Sequence, residues 1–134
     1  MTSDAQWEFL KDEARLIFYL MESDIRYKAT GGDLFRSHEE QIRKYNAGLS
    51  NTMESRHRVR QAIDLNFWVN GQYLMDKVEK AKKTKDPEKI KKAKKEILAL
   101  LGPVGTYWES LNIKNRAGMF WESPFDPGHF ERTA

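Results

Sequence analysis

The stretch NTMESRHRVRQAIDLNFWVNGQYLMDKVEKAKK, residues 51–83, governs the architecture, because the segments on either side can be arranged around whatever it forms. Asn51 stands three residues ahead of Glu54, the spacing of a helix-starting cap. Val59, Ile63, Phe67, Leu74, Val78 and Ala81 then follow at helix-compatible steps. The spacing predicts one helix from Asn51 to about Lys83. No stretch is read as alternating with period two, so no sheet is expected.

Near the amino end, Ser3 to Gln6 has the spacing of a capping box. Trp7, Leu10, Ala14, Ile17 and Met21, with Ile25 one place on, give the apolar stripe of a first helix that Gly31 and Gly32 end. A second helix opens at Asp33 and carries Phe35, His38, Ile42, Tyr45 and Leu49. A single Gly48 costs only about 1 kcal/mol inside a helix, so the second and third helices are either two rods or one bent rod. Asp86-Pro87 starts a fourth, since Asp caps and Pro fits the first helical position. Its stripe is Ile90, Ala93, Ile97 and Leu100 or Leu101, and Gly102-Pro103 closes it, with a short further turn over Val104–Leu111. The expectation is an all-α, up-down four-helix bundle over residues 1–111 with an extended, aromatic-rich C-terminal arm over 112–134.

Composition sets limits. The chain has 134 residues, 40% hydrophobic and 32% charged, which suits one globular domain. No apolar run approaches the roughly 20 residues of a membrane span, and the amino end lacks the basic-then-apolar pattern of a signal peptide. Cysteine is absent, which excludes disulfides, thiolate metal sites and thiol catalysis. Between Lys77 and Lys95 ten lysines face three acids, a local charge of +7 that leaves −4 for the rest of a chain whose total is +3.

Chemistry finds little purchase in this reading. Glu54-x-x-His57 has the carboxylate–imidazole step of di-iron bundles, but those need two such motifs. His38 has Phe35 three residues before it and His129 sits in the tail. No Gly-x-Ser-x-Gly or phosphate-cradling glycine pattern occurs. No catalytic, cofactor-binding or metal-binding residue is expected. Two features point to partners instead. Lys80, Lys83, Lys91, Lys94 and Lys95 form a basic stripe for an acidic protein or, in the alternative, for nucleic acid or lipid headgroups, unless they are simply solvated. Phe120, Trp121, Phe125 and Phe130 share no helical repeat and lie among prolines, so they either fold back on the bundle or enter a partner's pockets.

The helix order, the second-helix run Glu40-Gln41-Ile42-Arg43-Lys44, the Lys82–Asp86 turn and the ending Ile97-Leu98-Ala99-Leu100-Leu101 resemble the PsbQ family of extrinsic photosystem II subunits. The likeness spans about Leu16 to Leu101 and lacks that family's proline-rich amino-terminal arm. It implies a non-catalytic subunit of the thylakoid lumen that docks on intrinsic photosystem II subunits at the membrane and stabilises them. The function expected is therefore an assembly or stabilising subunit without enzymatic activity; the alternative is a nucleic-acid-binding packaging or coat protein.

Overall fold

The structure is a computed structural model that describes residues 3–31 and 61–133. Its elements run α1 (Ser3–Glu22), β1 (Tyr27–Gly31), β2 (Ala62–Val69), β3 (Gln72–Tyr73), α2 (Lys77–Lys83), α3 (Pro87–Leu111), β4 (Asn115–Ala117), a 3-10 turn (Gly118–Phe120) and β5 (His129–Arg132). The strands form one antiparallel sheet in the order β1-β2-β5-β4, with β3 paired to β2. The all-α bundle is therefore corrected to a mixed fold in which helices and a sheet share one core.

Strand β2 makes the difference. Ile63, Leu65, Phe67 and Val69 are buried, and Asp64, Asn66 and Trp68 between them are half-buried on the other face. Ile63 and Phe67, four apart, satisfy a helical step and a period of two equally well; only a strand puts Leu65 and Val69 on the same face with them. Asn70 and Gly71 follow with φ of 51° and 81°, the left-handed pair that a tight two-residue hairpin requires. They return the chain so that Tyr73 pairs with Trp68, their rings 4.9 Å apart. The helix expected through this turn is impossible. The expected second helix and the start of the third lie outside the described residues.

Helix α1 forms where expected but presents the opposite face. Phe9, Asp12, Leu16 and Leu20 are buried, whereas the stripe Trp7, Leu10, Ala14, Ile17 and Met21 is exposed. The buried set wins because it meets α3: Phe9 packs on Trp108 at 5.6 Å, while Tyr19 at the flank stacks on Tyr107 at 4.3 Å. The helix ends at Glu22, ahead of the expected glycine stop, because Gly31 is already in β1 opposite Leu65.

Helix α3 starts as its sequence requires. The Asp86 carboxylate accepts the Glu88 N–H at 3.0 Å, and Pro87 occupies the first turn. Gly102-Pro103 does not close it. Pro103 deprives only the exposed Ala99 carbonyl of a donor and is itself exposed, while Ile97, Leu101, Val104 and Trp108 carry an unbroken buried stripe past it.

Residues 115–132, expected in an extended arm, add two strands to the sheet. Phe130 is fully buried, edge-on to Trp108 at 5.9 Å and to Phe67 at 6.1 Å. Arg132 beside it reaches the buried Asp12 carboxylate, and its Nε donates to Asn115 Oδ1 at 2.9 Å. Asn115 in turn donates to Asp12 at 3.2 Å and to the Trp108 carbonyl at 3.0 Å. Four elements are thus tied at one buried polar junction.

Candidate metal centre

The pairing of β5 with β2 places His129 directly opposite Asp64 and Glu131 opposite Ala62. Since side chains two apart on a strand share a face, Asp64, His129 and Glu131 stand together on the side of the sheet away from Ile63 and Phe130. His129 Nδ1 lies 2.9 Å from Asp64 Oδ1, and Nε2 lies 2.7 Å from Glu131 Oε1. Asp126 joins them from the loop before β5: one ligand atom each from Asp64, Asp126 and His129 lie within 4.8 Å of one another.

Two close backbone approaches hold that loop down. Leu65 N–H donates to the Gly128 carbonyl at 2.8 Å, and Asp126 N–H to the Gly118 carbonyl at 3.1 Å. A Cβ at Gly128 would collide with the Leu65 carbonyl oxygen, and one at Gly118 with the Asp126 carbonyl oxygen. Only glycine allows these contacts, and without them Asp126 would not reach the strand pair.

The electrostatics favour positive charge here. Burial alone would lower the His129 pKa, but hydrogen bonds and attraction from Asp64 and Glu131 overcome it and raise the pKa from 6.5 to about 9. The same donors suit a divalent cation. With a cation bound, Glu131 would take Nε2–H and leave Nδ1 as the neutral donor beside the Asp64 carboxylate, the carboxylate–histidine arrangement that orients metal ligands. An imidazole with carboxylates and no thiolate fits zinc or another first-row divalent ion.

Asp64 falls inside the expected third helix, off its apolar stripe, and His129 in the expected arm; the signals in the sequence are the alternation around Asp64 and the compact run Asp126-x-x-His129-x-Glu131. Glu54, His57 and His38 lie outside the described residues. Of the residues expected to bind partners, Lys80 is exposed on α2 and paired to Asp76 at 3.1 Å, and Lys83, Lys91 and Lys95 are exposed. Phe130 is core. Lys94 stands apart from the other lysines, half-buried on α3 with its ammonium 5.5 Å from the Phe125 ring centre. With Phe120, Trp121 and Phe125 it lines a groove of about 360 Å³, and Trp121 lies 5.3 Å from His129, ring to ring.

Comparison with known proteins agrees with this architecture. The crystal structure of Serratia marcescens L-Ala D-Glu endopeptidase ChiX superposes with a TM-score of 0.59 at 16% sequence identity, over 99% of this chain and 89% of that one. No curated protein matches in sequence. A family profile described as D-alanyl-D-alanine carboxypeptidase matches residues 49–132, well over half of the chain. These findings overturn the PsbQ resemblance, which rested on helix order in a segment that contains β1 and β2. The non-catalytic subunit on photosystem II, its thylakoid setting and the packaging-protein alternative fall with it, as does the expectation of no enzymatic activity: the matching family is one of peptidases, whose description points to cell-wall peptide instead of photosystem subunits. The chain belongs to the D-alanyl-D-alanine carboxypeptidase family.

Proposed function

We propose that this protein is a metal-dependent peptidase that hydrolyses an amide bond in D-amino-acid-containing cell-wall peptide. The observation that carries the reading is the convergence of Asp64, Asp126 and His129 within 4.8 Å, with Glu131 fixing the histidine from behind. Asp64 and His129, locked in register on adjacent strands, would hold the cation. Bound there, a zinc ion would supply a Lewis acid for the peptide carbonyl and lower the pKa of water.

Asp126 has a different role. It is exposed on a loop, where Asp64 is half-buried on a strand, so it is the carboxylate with access to both water and substrate. It would take the proton from the attacking water and deliver it to the leaving amine, as a general base and then a general acid. A catalytic zinc usually has three protein ligands. His57, seven residues before Asp64 in the sequence, is the histidine to substitute first in seeking the third.

The test is metal content by mass spectrometry on purified protein, followed by incubation with a peptide ending in D-alanyl-D-alanine and with one containing an L-Ala–D-Glu bond. About one zinc per chain, hydrolysis of either peptide, and loss of both in Asp64→Ala and His57→Ala are expected. The bond cut separates carboxypeptidase from endopeptidase action. Full hydrolysis after exhaustive chelation would refute the proposal.

A further inference from the structure

Two recesses meet beside the candidate centre. A cleft of about 330 Å³ is lined by Asp64, Asn66, Phe125 and Asp126 among others, and the groove of about 360 Å³ by Lys94, Leu98, Met119, Phe120, Trp121 and Phe125, with Glu122. Phe125 belongs to both walls, and Trp121 packs against His129, so the groove leads from the carboxylate cluster to α3. A peptide whose amide lies at the cluster has this path for its neighbouring groups.

Charge along the path is one-sided. Asp64, Asp126, Glu131 and Glu122 are all acidic, and Lys94 is the sole cation lining the groove among the described residues. Lys94 forms no ion pair among the described residues, whereas Lys77, Lys80 and Lys82 on the preceding segment each do. Its stem rises from α3 beside buried Ala93 and Ile97, and the ammonium is held over the Phe125 ring by cation–π attraction. Cell-wall peptides present carboxylates, which the acidic cluster repels and which Glu122 repels from the rest of the groove. An unpaired, partly desolvated lysine at its wall supplies the compensating charge.

We propose that Lys94 binds a carboxylate of the substrate, making the aromatic groove the subsite for the acidic group next to the bond that is cut. This rests on the peptidase reading. The carboxylate is either the C-terminal one of a D-alanyl-D-alanine peptide or that of a D-glutamyl residue, and four probes separate them: each peptide as free acid and as carboxamide. Lys94→Met keeps the stem against Phe125 and removes the charge; Lys94→Arg keeps the charge.

Lys94→Met is expected to raise KM for one acid probe about tenfold, leaving its amide within about twofold and kcat unchanged, with Lys94→Arg close to the parent. Calorimetric titration of the same acid–amide pairs into chelator-treated protein reads the preference without hydrolysis. If the parent prefers an acid probe and Lys94→Met loses that preference while no probe is cleaved with metal restored, the peptidase reading fails and the subsite stands. If Lys94→Met weakens acid and amide alike, or neither, or if the parent prefers no acid, the subsite is overturned.

Discussion

Helix α3 and the β2–β5 strand pair both supply the core, yet they are assembled from opposite ranges of sequence. In α3 the decisive contacts are local, as when the Asp86 side chain caps the amide two residues on. In the strand pair they join distant chain, the Asp64–His129 contact spanning 65 positions. One face of that pair, Ile63, Phe67 and Phe130, is buried as fully as the helix stripe. The other face gathers the charged groups. The metal-binding chemistry therefore sits where the chain must close a long loop before any contact forms, and the helix supports it and brings Lys94 to the groove.

That division can be broken most severely at Asp126. Asp126→Asn keeps the loop geometry and removes the base, so kcat should fall by about 10²–10⁴-fold with metal content unchanged, measured on the D-alanyl-D-alanine peptide. Parallel loss of metal would instead make Asp126 a ligand. Glu131→Gln comes next: weakening the grip on Nε2 should cost about 10–100-fold in metal affinity, read by competition with a chromogenic chelator.

A pH effect follows from the same contacts. The folded His129 pKa stands at about 9, above its ordinary 6.5. A group raised in this way contributes its stability in full below the unfolded value and loses it as pH climbs through the folded one. Chelator-treated protein should thus unfold at lower denaturant at about pH 10 than at about pH 6. Glu131→Gln removes one of the two acids raising that pKa, so the loss should begin at lower pH. An unchanged midpoint across this range would show that the two acids do not hold His129 charged.

The contrast also explains what the sequence disclosed. Asp86-Pro87 announced the start of α3 because capping is chemistry between neighbours. Strand β2 stayed hidden because Ile63 and Phe67 fit two periods, although Asn70-Gly71 was a turn that no helix could contain. The candidate site was the least legible part. Nothing near Asp64 in sequence indicates His129, and a polar residue on a strand's open face looks like any solvated one until its cross-strand partner is known. Asp126, His129 and Glu131 do lie within six residues, but a metal-binding reading of them needed the strand that Asp64 occupies.

The smallest effect should come from the helical side. Asp86→Ala removes one cap at the solvent end of α3 and should lower stability by about 1 kcal/mol, measured by chemical denaturation. Asp86 lines neither the cleft nor the groove at the candidate centre, and the stripe Ile97, Leu101, Val104 and Trp108 begins three turns further along the helix. Fraying the first turn therefore leaves Lys94 and the sheet where they are, and hydrolysis per folded molecule should match the parent. If activity instead falls out of proportion to stability, the cap must be transmitted along α3 to the groove, and the helix is part of the catalytic apparatus rather than its support.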